Sequence, residues 1–191
     1  MEECTLTDGT VWLSRPVESD LDAITECCQD PAIREWVTIP WPYGRRDAVD
    51  FVGETVAEGW AGRKPIWGIR LAEHGRLIGT VSLGCRPRDD TAAEIGFWLA
   101  PGHRKQGLIS RAVTLVCDFG FDPDGMGLIR IFWRAFTGNH PSAAVARKHG
   151  FRYEGLARLG SEHRGVRRDH WMAARLRTDP PGPAGNWPAG I

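Results

Sequence analysis

The sequence has no excess of charge of either sign and no long apolar segment. Its 24 lysines and arginines balance 24 aspartates and glutamates, so the formal net charge is zero. A neutral chain has no general attraction for nucleic acid or anionic membranes, so any anion must be held by a local site. No apolar run approaches the roughly 20 residues that span a membrane, and the opening residues lack a signal-peptide pattern. We therefore expect a soluble, cytoplasmic protein with neither nucleic-acid nor membrane partners.

The cysteines lack a metal-binding pattern, and tyrosine is scarce. Five cysteines occur among 191 residues, and no Cys or His spacing is typical of a zinc site. The odd count, with two cysteines adjacent, favours reduced and mostly buried thiols, and we expect no metal. A chain of this length can bury a core without a disulfide or a metal. The only tyrosines are Tyr43 and Tyr153, which leaves few phenols for acid–base chemistry.

One break in composition divides the chain. Residues 1–177 have the composition of an ordinary globular domain, whereas residues 178–191 are rich in proline and glycine. Neither a helix nor a central strand tolerates such a run. We predict one domain over residues 1–177, followed by a flexible C-terminal tail in which Trp187 is the residue able to dock.

Strand and helix patterns alternate along the domain, which predicts an α/β fold with a mixed sheet. Two short turns, Glu73–Gly75 and His163–Gly165, join strands into hairpins. Strand patterns lie at residues 11–15, 66–71, 76–83, 94–99, 129–137, 154–161 and 168–176, and helix patterns start near residues 19, 46, 108 and 140.

The stretch from Glu94 to Ser110 is the most informative about function. A strand leads into a tight turn, then Gly107, then the first turn of an amphipathic helix. Free backbone N–H groups and the helix dipole attract an anion there, and Arg104 and Lys105 add full positive charges. The pattern favours a pyrophosphate site, with a plain strand–helix turn carrying solvated basic residues as the alternative.

Two stretches together resemble the GNAT N-acyltransferase superfamily. Arg104–Gly107 matches its acyl-CoA motif, R/Q-x-x-G-x-G/A, and a capped helix follows from Asn139 to a glycine stop at Gly150. Ile109 stands where the motif has glycine or alanine, and a bulky residue there is similar to the RimJ/RimL-like branch of ribosomal-protein acetyltransferases and their relatives. The resemblance implies the GNAT fold, a mixed and mostly antiparallel twisted sheet of about seven strands, splayed in the middle and flanked by about four helices.

The resemblance also implies acyl-CoA, most of all acetyl-CoA, as the co-substrate. The pantetheine arm would pair with the backbone of Phe97, Trp98 and Leu99, and Asn139 would bind on the pantetheine side. The diphosphate would lie on the turn formed by Arg104, Lys105, Gln106, Gly107, Leu108, Ile109 and Ser110.

The implied reaction transfers the acyl group directly to an amine, which requires a proton donor for the departing thiolate. Many family members use a tyrosine seven residues after the asparagine, but that position is Ala146 here. In the RimL-like pattern a serine three residues after the asparagine serves, and Ser142 occupies that position. Alternatively, Ser142 is an ordinary serine in the first turn of a helix, with its hydroxyl bonded to the backbone.

Two carboxylates remain open as the general base. The RimL-like pattern places one in the last hairpin, where Ser161 occupies the aligned position and Glu162 follows it. A shift of one residue in a strand turns the side chain to the other face, so Glu162 would serve only with a bulge and a water. Glu94 is the other candidate. A third possibility is no base at all, because an α-amine with a pKa near 8 is partly neutral at physiological pH.

We expect the acceptor amine to bind between the last hairpin and a proline-broken aromatic loop, with contacts from Arg34, Trp36, Trp41 and Tyr43. The same loop could instead form a homodimer contact. The acceptor is either a protein N-terminus or a small-molecule amine. A non-catalytic acyl-CoA-binding or scaffolding domain and the use of another donor, such as succinyl-CoA, are the alternative functions.

Overall fold

One eight-stranded sheet forms the centre of the computed structural model, which describes residues 1–86 and 88–191. The strand order is β1-β2-β3-β4-β5-β6-β8-β7, and all neighbours are antiparallel except β5 and β6. The strands are β1 Leu6–Thr7, β2 Trp12–Ser14, β3 Ile66–Arg70, β4 Gly79–Arg86, β5 Asp89–Leu99, β6 Arg130–Phe136, β7 Arg152–His163 and β8 Val166–Leu176.

In chain order, four helices come before β3, one comes directly before β6 and one directly after it. A π-helical turn, Phe51–Val56, joins α3 to α4, so the helix predicted across residues 46–60 is one continuous rod. The helices are α1 Leu21–Cys27, α2 Pro31–Trp36, α3 Arg45–Asp50, α4 Ala57–Ala61, α5 Leu108–Phe121 and α6 His140–Lys148.

Two elements were missing from the sequence prediction. Strand β1 has only two residues and shows no readable alternation. Helix α2 is a single six-residue segment, and it forms because Asp30 accepts the backbone N–H of Ile33 while Pro31 occupies the first turn. As a result Trp36 ends a helix, and the aromatic loop begins at Val37.

The sheet opens in its middle. Strands β5 and β6 pair in parallel only from Ala92 to Glu94, opposite Arg130 to Phe132. Beyond that point β5 continues beside β4 as far as Leu99, while β6 continues beside β8 as far as Phe136. The two halves therefore separate just after Glu94 and Phe132, which is the predicted splay.

Apolar clusters cover both faces of the sheet. The larger one packs α5 and α6 on one face, with Trp67, Val116 and Ile131 among its fully buried members. The smaller one lies under α1 and α3 and includes Leu21, Ala48 and Leu77. Of the five cysteines, all are free thiols and three are buried. None of the helices in the described part of the chain is both long and apolar enough to cross a membrane.

The C-terminal segment lies against α6 and β7. The N–H of Ala184 donates to the carbonyl of Arg147 at 2.9 Å, and the indole N–H of Trp187 donates to the carbonyl of Phe151 at 2.8 Å. These contacts show where Trp187 docks. The division into a domain over residues 1–177 and a flexible tail over 178–191 stays a prediction.

Candidate active site

The turn between β5 and α5 is held in shape by its own chain. Gly107 has φ of +77° and Lys105 has φ of +61°, so both adopt the left-handed conformation. Glycine takes this conformation without strain, whereas lysine does so only where the surroundings impose it. The amide of Gln106 supports the turn by donating to the carbonyl of Gly102 at 2.9 Å. A side chain at Gly107 would project into open space, since nothing lies within 4 Å of its ideal Cβ position.

The backbone N–H groups at this turn are available to a ligand. No hydrogen bond to the N–H groups of residues 105 to 110 is present within the described structure, and no side chain caps α5. A 14-residue helix begins there, so its dipole adds partial positive charge at the same point. Unpaired amides at a helix start that also carries positive charge form an anion site.

Arg104 fastens this turn to its neighbours. Its Nε donates to the carbonyl of Leu99 at 2.9 Å, and its Nη2 donates to Asp30 Oδ1 at 2.7 Å. Partial burial opposes ionisation of Asp30, but hydrogen bonds from Arg104 and the Ile33 N–H outweigh it and lower the pKa of Asp30. The guanidinium therefore positions the turn, and the direct phosphate contact predicted for its side chain stays untested.

The edge of β5 toward the gap is open next to the turn. Phe97, Trp98 and Leu99 pair with β4 on one side, and in the described residues no strand pairs with them on the other. Asn139 lies across the gap at the start of α6, where its Oδ1 accepts the N–H of Ser142 at 3.3 Å. An extended arm inserted here would act as an additional strand between β5 and β6.

Ser142 has an unexpected partner. Its Oγ accepts the indole N–H of Trp133 at 2.9 Å, and Trp133 is 1% exposed. The sequence alternative was a bond from the hydroxyl to backbone, but no such bond is present in the described residues. A serine hydroxyl that accepts a hydrogen bond still has its own proton to donate. The arrangement therefore leaves Ser142 able to act as a proton donor at the gap.

Glu94 lies at the last paired position before the gap and is clamped by Arg134. Its Oε1 accepts from Arg134 Nε at 3.1 Å and its Oε2 from Nη2 at 2.6 Å. Because Glu94 pairs with Phe132, it shares a sheet face with Phe132 and Arg134, opposite to the face of Trp133 and Ser142. A carboxylate has about four lone-pair sites, so two bonds from Arg134 leave room for an ammonium.

Glu162 lies outside this arrangement. The strand pairing is irregular between Ala157 and Ser161, so the predicted bulge exists, but it lies before Glu162. Ser161 Oγ is 3.2 Å from His170 Nδ1, and alternation along the strand turns the next residue, Glu162, to the opposite face. The hypothesis that Glu162 serves as the base is therefore not supported by its orientation.

His170 was missed from the sequence. It lies on β8 opposite Phe136 and is 5% exposed. Burial lowers the pKa of His170, the positive charge of Arg134 lowers it further, and the charge of Glu94 partly offsets both. Residues 134 and 136 alternate onto the sheet face of Glu94, and His170 pairs with Phe136, so His170 lies on that face too. The sequence does not reveal the pairing of β6 with β8, and the position of His170 could therefore not be predicted.

The predicted acceptor residues gather at the far end of β6, with one exception. The Arg34 guanidinium lies 4.3 Å from the Trp41 ring centroid, and that of Arg168 lies 5.4 Å from Trp36. Arg168 also lies 4.7 Å from Phe136, on the face of Glu94. Tyr43 is the exception, because it is 6% exposed in the smaller apolar cluster, and we leave it out of the acceptor site.

Comparisons with known proteins agree with this architecture. Residues 10–152 match the family model described as an acetyltransferase (GNAT) domain. The uncharacterized N-acetyltransferase YoaA of Bacillus subtilis (strain 168) is 28% identical over 147 residues, which is 76% of this chain and 81% of YoaA.

Two solved structures are similar in fold. The apo form of RimL, a ribosomal L7/L12 alpha-N-protein acetyltransferase, has a TM-score of 0.79 at 20% identity, covering 92% of this chain and 96% of RimL. The microcin C7 self-immunity acetyltransferase MccE, in complex with acetyl-CoA and AMP, has a TM-score of 0.76 at 20% identity, covering 89% and 93%. These likenesses confirm the predicted fold.

Proposed function

Because the chain belongs to the GNAT acetyltransferase family, we propose that it transfers an acetyl group from acetyl-CoA directly to a primary amine at the gap between β5 and β6. The observation that carries the proposal is the alignment of three features at that gap. The unpaired amides of residues 105 to 110 lie at one end, the open edge of Phe97–Leu99 runs along it, and Ser142 and Glu94 flank it from opposite faces.

The residues present fit acetyl-CoA. The diphosphate would accept hydrogen bonds from the amides of Lys105, Gln106, Gly107, Leu108, Ile109 and Ser110, and Lys105 would add charge. The backbone of Phe97, Trp98 and Leu99 would pair with the amides of the pantetheine arm, with Asn139 on the opposite side. When bound, the co-substrate supplies an activated acyl group as a thioester.

The chain's own residues would handle the protons. As the amine nitrogen bonds to the acyl carbon and the carbon–sulfur bond breaks, the Ser142 hydroxyl gives its proton to the departing sulfur. The N–H of Trp133 stabilises the oxygen that is left with negative charge. Glu94, on the other face, binds the incoming ammonium and accepts its proton, with Arg134 fixing the carboxylate in place.

His170 is a second candidate for the base, and a specific observation favours it. It shares a sheet face with Glu94 and Arg134, and its pKa is lowered chiefly by burial, so the imidazole is neutral and able to accept a proton near pH 7. The dependence of kcat on pH, measured for Glu94→Gln and His170→Gln, separates the two candidates. The variant that lacks the base should no longer show the fall in kcat at low pH.

The structural likeness to RimL supports a place in the RimJ/RimL-like branch and a protein N-terminus as acceptor. The likeness to MccE supports a small-molecule amine instead. We favour the N-terminus because the face of Glu94 is open: its cross-strand partner Gly84 lines a groove of about 470 Å³ that continues toward α4. Such a groove accommodates the extended residues that follow the N-terminal amine of an acceptor protein.

The same proposal places the enzyme in the cytoplasm. It also includes a homodimer whose contact is formed by Trp41, which is 38% exposed at the acceptor end. Analytical ultracentrifugation of the wild type and Trp41→Ser tests this: a dimer that Trp41→Ser dissociates supports the contact, and a monomeric wild type refutes it.

A thiol-release assay tests the proposed function. Acetyl-CoA and succinyl-CoA are each offered with short peptides bearing free N-termini and with small primary amines, and calorimetry measures binding of each donor. Turnover of acetyl-CoA with an amine, confirmed by the mass of the acetylated product, supports the proposal. Tight binding of acetyl-CoA without turnover of any amine would instead identify a non-catalytic binding domain.

A further inference from the structure

The C-terminal segment contacts the proposed proton donor through one intermediate side chain. The ring centroids of Trp187 and Trp133 are 5.6 Å apart, and the indole N–H of Trp133 donates to Ser142 Oγ at 2.9 Å. Trp187 lies beyond residue 152, where the match to the acetyltransferase domain ends. A residue outside the matched region is therefore in contact with the residue that holds Ser142.

Trp187 is itself held from several sides. Its indole N–H donates to the carbonyl of Phe151 at 2.8 Å, and its ring lies 5.6 Å from that of Tyr153. The neighbouring Asn186 accepts the N–H of Tyr153 at 3.3 Å and donates to its carbonyl at 3.0 Å, which imitates the pairing of one more strand. These bonds fix the ring of Trp187 against that of Trp133, with the two ring planes tilted by 57°.

Trp133 needs such support because its N–H has a single described acceptor. The ring is 1% exposed, so water does not replace Ser142 as a partner, and a lost bond would leave a buried donor unsatisfied. Trp133 is thus constrained to one orientation, and any tilt of its ring moves the N–H relative to Oγ. The bond from Ala184 to Arg147 ties the same segment to α6, the helix that carries Ser142.

We propose that Trp187 is a positioning residue that acts through Trp133 to hold the Ser142 hydroxyl in place for proton transfer. This inference rests on the proposed function. Without Trp187, the Trp133 ring loses its cover, and the hydroxyl of Ser142 samples orientations from which it does not reach the departing sulfur. Acetyl-CoA binding is unaffected, since the described structure shows no hydrogen bond between the segment and residues 105 to 110.

A double-mutant cycle tests the proposal. Trp187→Ala should lower kcat about tenfold while KM for acetyl-CoA stays within about twofold. In a Ser142→Ala background the same change should have no further effect, because the residue through which it acts is gone. Trp187→Phe keeps the ring contact and should recover most of kcat. Pro188→Ala, an exposed neighbour, is the matched control and should match the wild type.

A purely structural role for Trp187 would lower kcat equally in both backgrounds, and that result overturns the proposal. A second readout does not depend on turnover: solvent exchange of the Trp133 indole proton, followed on its resonance assigned with Trp133→Phe, should be faster in Trp187→Ala and unchanged in Pro188→Ala. If no amine is acetylated, the proposed function fails, and an unchanged exchange rate in Trp187→Ala would still refute the positioning of Trp133 by Trp187.

Discussion

The cofactor end and the acceptor end of the site are built in different ways. At the cofactor end, the groups that would bind the ligand are backbone amides of one short segment, residues 105 to 110, shaped by left-handed turns at Lys105 and Gly107. At the acceptor end, the groups are side chains from two distant parts of the chain. Arg34 lies on α2 and Trp41 in the loop that follows it, and Arg168 comes from the last hairpin.

This difference determines how each end tolerates change. A site made of backbone groups is insensitive to most side-chain identities, but it depends on the few positions that set its conformation. A site made of distant side chains depends on strand register and on the packing of loops, so it can be altered residue by residue while the fold stays the same. The cofactor end should therefore fail abruptly and the acceptor end gradually.

The largest effect is expected at Gly107. Gly107→Glu forces a non-glycine residue into φ of +77° and places a negative charge beside the amides of the turn. We expect calorimetry to detect no binding of acetyl-CoA. Gly53→Glu adds the same charge at an exposed glycine with open space around it and should bind like the wild type. Wild-type affinity in Gly107→Glu would falsify the diphosphate site.

Ser142 lies between the two ends and tests the chemistry alone. Ser142→Ala should reduce kcat by roughly 10²–10⁴ with little change in acetyl-CoA affinity, because only proton donation is lost. The change also leaves the Trp133 N–H without its acceptor, so thermal unfolding should be measured in parallel. Ser142→Thr keeps a hydroxyl and should retain part of the activity. An unchanged kcat in Ser142→Ala removes the serine from the mechanism.

Substituting Glu94 and Glu162 in turn tests which carboxylate serves the acceptor end. Glu94→Gln should lower kcat about 10- to 100-fold, since it removes the group that binds and deprotonates the amine. Glu162→Gln should stay within about twofold of the wild type, because Glu162 is exposed on the other face of the hairpin. The reverse ranking would show that the last hairpin supplies the base after all.

The cofactor end could be predicted from the sequence more fully than the acceptor end. The turn at Gly107, the cap at Asn139 and the strand that carries Glu94 depend on local patterns and on a short motif, so the sequence was sufficient for them. The roles of Trp133, Arg134 and His170 depend on pairing between strands far apart in the chain, which no local pattern encodes. Tyr43 was assigned to the acceptor because it follows two prolines and two tryptophans, yet packing buries it.

The smallest effect concerns stability at mildly acidic pH. Burial lowers the pKa of His149, at the end of α6, to about 4, and Lys148 and Arg175 add to the shift. In the unfolded chain the His149 imidazole protonates near pH 6.5. The stability that depends on neutral His149 is therefore fully present above pH 6.5 and is lost as the pH falls toward 4. We expect His149 to account for about 2 kcal/mol of the loss between pH 7 and pH 5.

Urea unfolding at both pH values measures this loss. His149→Gln should show a smaller decline than the wild type, while His74→Gln, in the turn between β3 and β4, should decline as the wild type does. Equal declines in all three proteins would contradict the assignment to His149.

Hydrogen–deuterium exchange with and without acetyl-CoA tests the central claim most directly. The account predicts that the co-substrate slows exchange in the peptide covering residues 105 to 110, whose amides are unpaired without it, and leaves the loop of residues 37–42 unchanged. Unaltered exchange at residues 105 to 110 in the presence of saturating acetyl-CoA would contradict it.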